Sequence, residues 1–339
     1  MTRAAVISGL GGWLPPQTVT NDDLPSELNT SDRWIRTRTG IERRHYAVPG
    51  SATSDLAVEA GTRALASSGE PHADAVVVAT TTPDRICPAT APEVATRLGL
   101  ADAAAFDVNA ACTGFMYGLA CAAGLISTGV ADRVLLIGAE TYSTIVHPHD
   151  RATAPIFGDG AGAVVLRAGT PDEPGAIGHI DLGSDGTGVE LLWVDGGGSR
   201  QRLSDGPDRH GERYMSMAGP EVFKHAVIRM VDSCRTVLQR AGLGVADIDR
   251  VVAHQANIRI LHQLADELGI DRGRVVSNID RVGNTSAASI PLALLHGVAD
   301  GTVRPGQQTL LTAFGAGFTW GSTLLTWPDL VLCDQPSDA

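Results

Sequence analysis

The chain is almost without lysine. Lys224 is the only one, and the other 25 of its 26 basic residues are arginine. Its 38 acidic residues leave a formal net charge of −12. A chain of that sign repels nucleic acid unless a strong local basic patch overrides it, so no nucleic-acid partner is expected. No apolar run is long enough to span a bilayer, and no membrane partner is expected. The first residues carry Arg3 but then Gly9, Gly11 and Pro15 in place of a signal-peptide core, so the expected location is the cytoplasm. Cysteine is sparse and scattered, at Cys87, Cys112, Cys121, Cys234 and Cys333. No two stand at the close spacing of a zinc site or a redox pair, and an odd number argues against a disulfide framework. No metal is expected, and at most one or two of these thiols call for an explanation other than packing.

What the chain does have is a repeated apolar pattern. Its 339 residues, 43% hydrophobic and 19% charged, make a globular protein larger than one ordinary core, so two halves are expected, residues 1–170 and 171–339. The amphipathic stretch Leu56–Ala66 leads through a Gly/Pro turn to a strand-like run from Asp74 to Thr80. Likewise Val222–Ala241 leads through a Gly turn to a run from Asp249 to Gln255, and Asp74 and Asp249 are 175 residues apart. A second pairing follows. The short strand Phe106–Asn109 runs into an apolar helix opened by Cys112 and Thr113, and a turn leads to the strand Val134–Gly138. In the later half Asn284 and Thr285 open a helix through Val298, before the strand Thr309–Phe314. Cys112 and Asn284 are 172 apart, nearly the same offset, which reads as a duplication. Alternating strands and helices imply α/β layers. The helices near 114–126 and 286–298 are nearly free of charge, so both are expected to be buried between sheets, giving more than three layers. Residues 168–215 break the pattern and read as loops or a cap.

Cys112 stands where a short strand turns into a helix. Unpaired amides and the helix dipole favour an anion there. An ordinary thiol is only about 3% thiolate at pH 7, and a pKa drop of roughly 2 units makes most of it thiolate. His254 ends an apolar strand, and strand ends are where α/β proteins gather ligands. Asn284 follows a glycine and opens a helix. Taken singly, each has an ordinary reading: a packed thiol, a core histidine, an N-cap. Taken together, the repeat brings the two helix starts toward one central site, with His254 directed there as well. The run Gly158-Asp-Gly-Ala-Gly162 lacks the Lys-Ser/Thr ending of a phosphate loop and precedes a strand, so it reads as a turn where two backbones pack closely. Cys121, within the helix after Cys112, reads as core.

Three strings carry a wider resemblance. Asp107-Val-Asn-Ala-Ala-Cys112-Thr-Gly-Phe115, His254-Gln-Ala-Asn-Ile-Arg-Ile260 and Gly283-Asn-Thr-Ser-Ala-Ala-Ser-Ile-Pro291 resemble β-ketoacyl-acyl carrier protein synthase III, of the thiolase superfamily. Thr30–Ile35, Arg38–Ile41, Phe157–Gly162, Met217–Gly219, Glu221–Lys224 and Gly315–Gly321 support it, in family order from about residue 5 to 327. The resemblance implies a thiolase-like five-layer αβαβα fold, a homodimer, and a triad of Cys112, His254 and Asn284. It implies that acyl-coenzyme A acylates Cys112 and that malonyl-acyl carrier protein then loses carbon dioxide. Neutral His254 and Asn284 donate to the enolate oxygen, and the carbanion attacks the acyl-cysteine to give a 3-ketoacyl product. Coenzyme A is then part of a substrate, and no cofactor is implied. The backbone amides of Cys112 and Ala316 match the oxyanion donors of the first step. Many relatives have glycine where Ala316 stands, and an amide is present either way. Trp34 and Arg151 match a pair that stacks on adenine, Arg38 a phosphate-side contact and Asn257 a pantetheine contact. Lys224 and Arg259 match the basic patch that docks the acidic carrier protein, which a chain of this net charge needs.

The sequence also departs from the family. Cys87 stands where some relatives place phenylalanine, in a loop that closes the acyl pocket of the dimer partner. The smaller residue predicts room for primers longer or more branched than acetyl. Asn109 and Thr113 differ from the small residues usual beside the nucleophile. An alternative on the same fold is transfer of an acyl group to a hydroxyl or amine of a natural product without condensation. Relatives of that kind often alter the asparagine, which is intact here. A cysteine hydrolase with Cys, His and Asn in that order is disfavoured by the duplication. The product is destined for fatty acids or polyketides, and both uses share the triad.

Overall fold

In the structure, a computed structural model that describes residues 3–202 and 210–333, the apolar runs form strands and the amphipathic stretches form helices. The strands are β1 (Ala4–Trp13), β2 (Gln17–Thr20), β3 (Arg43–Tyr46), β4 (Ala75–Ala79), β5 (Ala104–Val108), β6 (Arg133–Glu140), β7 (Gly160–Gly169), β8 (Ile180–Ser184), β9 (Leu192–Val194), β10 (Met215–Met217), β11 (Arg250–Ala253), β12 (Gln308–Gly315) and β13 (Thr319–Thr326). The helices are α1 (Asp32–Thr39), α2 (Thr53–Ser68), α3 (Ala91–Arg97), α4 (Gly114–Ser127), α5 (Ser199–Arg202), α6 (Gly219–Ala241), α7 (Ile258–Leu268), α8 (Ile279–Val282) and α9 (Ser289–Ala299).

Two sheets share one plan. The first runs β1-β7-β6-β4-β5, with β4 parallel to both β5 and β6 and the other pairs antiparallel. The second, read from its far end, runs β8-β13-β12-β11. A parallel bridge from Val251 to Val275 stands on the other side of β11, where β5 stands beside β4. The register is constant: β4 starts at Ala75 and β11 at Arg250, β6 at Arg133 and β12 at Gln308, both 175 residues apart. β8 lies inside the region that reads as loops or cap. It pairs with β13 through Ile180–Ser184, but Asp181 and Gly183 dilute the apolar signal of an edge strand. The rest of that region holds the short ribbon of β9 and β10, and residues 203–209 lie outside the described residues.

The side chains sort the helices into layers. Leu56, Ala60 and Val94 of α2 and α3 pack on Val76, Val78 and Ile137, one face of the first sheet. Val222, Met230 and Leu264 of α6 and α7 pack on Val251 and Leu310, one face of the second. Between the sheets, Phe115 and Leu119 of α4 and Ile290 and Leu294 of α9 fill the space between Val77 and Leu136 on one side and Val252 and Leu311 on the other. The result is helix, sheet, helix, sheet, helix. The five-layer αβαβα arrangement places the starts of α4 and α9 side by side at the centre. Close approach depends on small residues. A Cβ on Gly162 would sit 2.8 Å from the Pro291 ring of α9, and one on Gly138 would sit 2.4 Å from the Ala287 carbonyl oxygen. Gly162 thus gives the close packing expected of its run, but Gly160–Gly162 open strand β7 and are not a turn, which corrects that part of the reading.

α9 is buried along Ser289–Gly297, but α4 is not buried all round. Cys121 is exposed, which corrects its reading as core. It shares an outward stripe with Tyr117 and Gly124, four and three residues away, while Met116, Leu119 and Ala122 face inward. No helix among the described residues is long and apolar enough to cross a membrane.

Candidate active site

Each central helix is entered through a short 3-10 turn, Ala111–Thr113 before α4 and Ser286–Ala288 before α9. Both turns begin on a non-glycine residue of positive φ, Ala111 at +47° and Ser286 at +49°, a costly conformation held by its surroundings. An asparagine precedes each. The Asn109 side-chain oxygen accepts the Ala111 amide at 3.4 Å, and the Asn284 side-chain oxygen accepts the Ser286 amide at 2.9 Å. The repeat therefore keeps its 175-residue register here and pairs Asn109 with Asn284 and Cys112 with Ala287. This corrects the 172-residue pairing of Cys112 with Asn284. A helix start read from sequence does not separate the 3-10 turn from the helix behind it. Cys112 and Asn284 meet because the two equivalent turns face each other.

A cavity of about 700 Å³ leads from Trp34, Arg38 and Arg151 at its mouth to Cys112, His254 and Asn284. Its walls are mainly apolar, Phe157, Met217, Ile260 and Phe314 among them. Cys112 is 6% exposed. Burial pushes its thiol up to about 12; the Ser286 hydroxyl pulls the other way, and the nearby Glu140 carboxylate adds to the rise. The expected low-pKa thiolate is therefore not what the resting site holds. Cys112 stands one turn ahead of α4, desolvated and beside an acid, and these effects outweigh the helix dipole.

His254 follows β11 directly, and its backbone N–H donates to the Thr312 carbonyl of β12 at 2.9 Å. Its Nδ1 lies 2.7 Å from the Ser289 hydroxyl. Burial holds its pKa down at about 3, so the ring is neutral. Asn284 is fixed through its backbone, whose N–H donates to the Ile156 carbonyl at 2.9 Å while its carbonyl accepts the Gly158 amide at 3.0 Å. With its side-chain oxygen taken by the Ser286 amide, the Asn284 NH2 is the group left for the cavity. The turn after β12 closes over the nucleophile. A Cβ on Gly315 would lie 2.9 Å from the backbone nitrogens of both Cys112 and Thr113, so only glycine allows this approach. Ala316 follows, partly buried.

At the mouth, two guanidinium groups stack on the Trp34 ring, Arg38 at 4.4 Å and Arg151 at 4.5 Å from its centroid. Asn257 lines the cavity and also caps α7, accepting the Ile260 amide at 3.0 Å. Arg259 is exposed over the Phe223 ring at 5.8 Å. Lys224, next to Phe223 on α6, is exposed outside the cavity lining. Cys87 is exposed and does not line the cavity of its own chain. Three polar residues of the centre are not singled out by the sequence reading: Glu140, Ser286 and Ser289. The two serines lie within the string Gly283–Pro291.

The sequence profile of 3-oxoacyl-[acyl-carrier-protein] synthase III matches residues 106–186, and that of its C-terminal part matches residues 238–327. β-Ketoacyl-[acyl-carrier-protein] synthase III 3 of Streptomyces coelicolor is 59% identical over 330 residues, covering 97% of this chain and 98% of that one. The chain belongs to the β-ketoacyl-acyl carrier protein synthase III family. The crystal structure of a 3-oxoacyl-(acyl carrier protein) synthase III from Pseudomonas aeruginosa superposes with a TM-score of 0.92 at 52% identity, covering 97% of this chain and 99% of that one. The priming β-ketosynthase of a polyketide biosynthetic pathway superposes with a TM-score of 0.89 at 36% identity and 97% coverage of both chains. As a β-ketoacyl synthase III the chain is a condensing acyltransferase of thiolase fold.

Proposed function

We propose that Cys112 takes a primer acyl group from acyl-coenzyme A and that His254 and Asn284 then hold the enolate formed from malonyl-acyl carrier protein. The observation that carries this reading is the convergence of thiol, neutral imidazole and amide N–H groups at the base of one cavity. Attack of sulfur on the thioester puts negative charge on the carbonyl oxygen, where the amides of Cys112 and Ala316 donate. Decarboxylation puts charge on the malonyl thioester oxygen. A neutral Nε2–H of His254 and the Asn284 NH2 stabilise it, the first favoured because the Ser289 hydroxyl can donate to Nδ1. The carbanion then forms the new carbon–carbon bond and releases Cys112.

Trp34 and Arg151 take the adenine between them, Arg151 moving off the ring by one stacking distance, with Arg38 on the phosphates and Asn257 on the pantetheine arm. Lys224 and Arg259 present the basic patch to the carrier protein. Coenzyme A enters as part of the substrate. The enzyme acts as a homodimer joined along β5, the edge strand of the first sheet, beside exposed Ile86 and Cys121. There Cys87 reaches the partner's acyl pocket and leaves room for primers beyond acetyl. The free thiols of Cys87, Cys112, Cys121 and Cys234 suit the reducing cytoplasm.

Intact-protein mass spectrometry after incubation with acetyl-, isobutyryl- and hexanoyl-coenzyme A tests the first step, with Cys112→Ser as the control. Acyl adducts on the wild type alone support it; strict preference for acetyl overturns the role of Cys87. Carbon dioxide released from malonyl-acyl carrier protein by the acylated enzyme tests the second step. Acyl transfer to a hydroxyl or amine without that release would replace it.

A further inference from the structure

Glu140 ends β6 with no exposed surface, directly behind the nucleophile. Five uncharged donors converge on its carboxylate. One oxygen accepts the Thr81 amide at 3.0 Å and the Thr82 hydroxyl at 2.9 Å, with the Thr80 hydroxyl at 3.3 Å. The other accepts the Ser286 hydroxyl at 2.9 Å, and the Ala287 amide completes the set. None is a cation. Burial raises the carboxyl to about 7 against these donors, so the group is poised to change protonation near neutrality. The ionisable groups that face it are Cys112 and Tyr142, both raised and neutral at rest. Ser286 stands between the acid and the nucleophile's turn: its hydroxyl donates to Glu140, and it and the Tyr142 hydroxyl both draw the Cys112 thiol down.

A thiol held this high needs a base when it attacks. His254, weakly basic and tied to Ser289, is a poor acceptor. An acceptor works best when its pKa lies near the operating pH. We infer that Ser286 and Glu140 form a proton relay beneath Cys112: as sulfur attacks, the thiol proton passes to the Ser286 hydroxyl oxygen while the Ser286 proton passes to Glu140. The negative charge moves from carboxylate to sulfur, so the buried cluster never holds two anions. The new carbon–sulfur bond replaces the thioester bond to coenzyme A, whose thiolate leaves and takes its proton from solvent. When condensation breaks the acyl–sulfur bond, the Cys112 thiolate recovers a proton along the same path. Over the cycle the relay is restored, and the one proton consumed is the one on free coenzyme A. Glu140 and Ser286 thus act on the first half of the proposed reaction, on which this inference rests.

The test is alkylation of Cys112 by iodoacetamide, followed by peptide mass spectrometry from about pH 5 to pH 9, a range that brackets the acceptor's titration. In the wild type the rate should climb through a limb near 7 and level off. Glu140→Gln should lose that limb and alkylate at least about 100-fold more slowly at neutral pH, rising only in alkali. Ser286→Ala keeps the carboxylate and its other four donors, and should show the same loss. A Glu140→Gln protein with wild-type melting and the wild-type profile would overturn the relay. So would Ser286→Ala retaining the limb if Glu140→Gln fails to fold, because a purely structural acid leaves that profile unchanged. Because the probe is not an acyl thioester, the expected profiles without acylation by any acyl-coenzyme A would overturn the proposed substrate and leave the relay standing.

Discussion

Asn109 and Asn284, 175 residues apart, make the same local bond: each side-chain oxygen accepts the backbone amide two residues on, at the entry to a central helix. The two differ in setting. Asn109 is exposed, whereas Asn284 is 5% exposed and lines the cavity.

The twin asparagines should therefore respond differently to truncation. Asn284→Ala is expected to slow malonyl decarboxylation by about 10²–10³-fold, the usual loss of one oxyanion donor, with acylation of Cys112 spared. Asn109→Ala, an exposed residue outside the cavity lining, should leave decarboxylation within a factor of about two. Single-turnover assays of the two half-reactions separate these outcomes.

Ser289 holds the tautomer of His254. Ser289→Ala removes the 2.7 Å partner of Nδ1 and lets the proton sit on either ring nitrogen. Decarboxylation should fall by about 10-fold or more, the scale on which a partner to a functional histidine matters. Acylation should not change. An equal loss in both half-reactions would mean a general disturbance of the site.

His254 also affects stability. Its folded pKa of about 3 lies below the ordinary 6.5, so between these values the unfolded chain binds a proton that the folded one does not. Its contribution is complete above 6.5 and declines as pH falls toward 3. Glu140, raised from 4.5 to about 7, works in the opposite sense: the folded state binds the extra proton, and its effect favours folding as pH falls. His254→Gln should consequently lose less melting temperature than the wild type on acidification below 6.5. Equal slopes in calorimetry would show that the ring is not buried neutral.

Trp34 provides a stacking face at the mouth. Trp34→Ala should raise KM for acyl-coenzyme A by about 10-fold, the scale of one lost stacking contact. The rate of decarboxylation by pre-acylated enzyme should stay the same. A matching fall in that second rate would place Trp34 in a role other than substrate binding.

Much of this was legible in the chain. Cys112, His254 and Asn284 lie in continuous strings, and the strand–helix alternation gives the layers. The fault in the repeat was local, because a 3-10 turn shifts the apparent helix start by three residues. Cys121 was misread because an uncharged helix looks buried on every side, and only the sheets on either flank decide which stripe stays open. Glu140 was missed for a different reason. One carboxylate at the end of an apolar strand leaves no periodicity, and its partners Thr82 and Ser286 stand 58 and 146 residues away. The low-pKa reading of Cys112 failed because desolvation and a neighbouring acid depend on packing, which strand and helix signals do not contain.

Glu140 and Gly315 occupy equivalent positions in the 175-residue register, and each ends a central strand against the turn of the other half. Glu140 reaches Ser286 and Ala287, while Gly315 presses on Cys112 and Thr113. A carboxylate at 315 would strike the nucleophile's amides, and a glycine at 140 would leave the donors around it unmatched. Any chimera spliced from two homologues must therefore inherit residue 140 together with residues 286–287, and residue 315 together with residues 112–113. A crossover at the seam between the halves separates both pairs, so such hybrids should tolerate exchange of the outer helices more readily than exchange of a whole half.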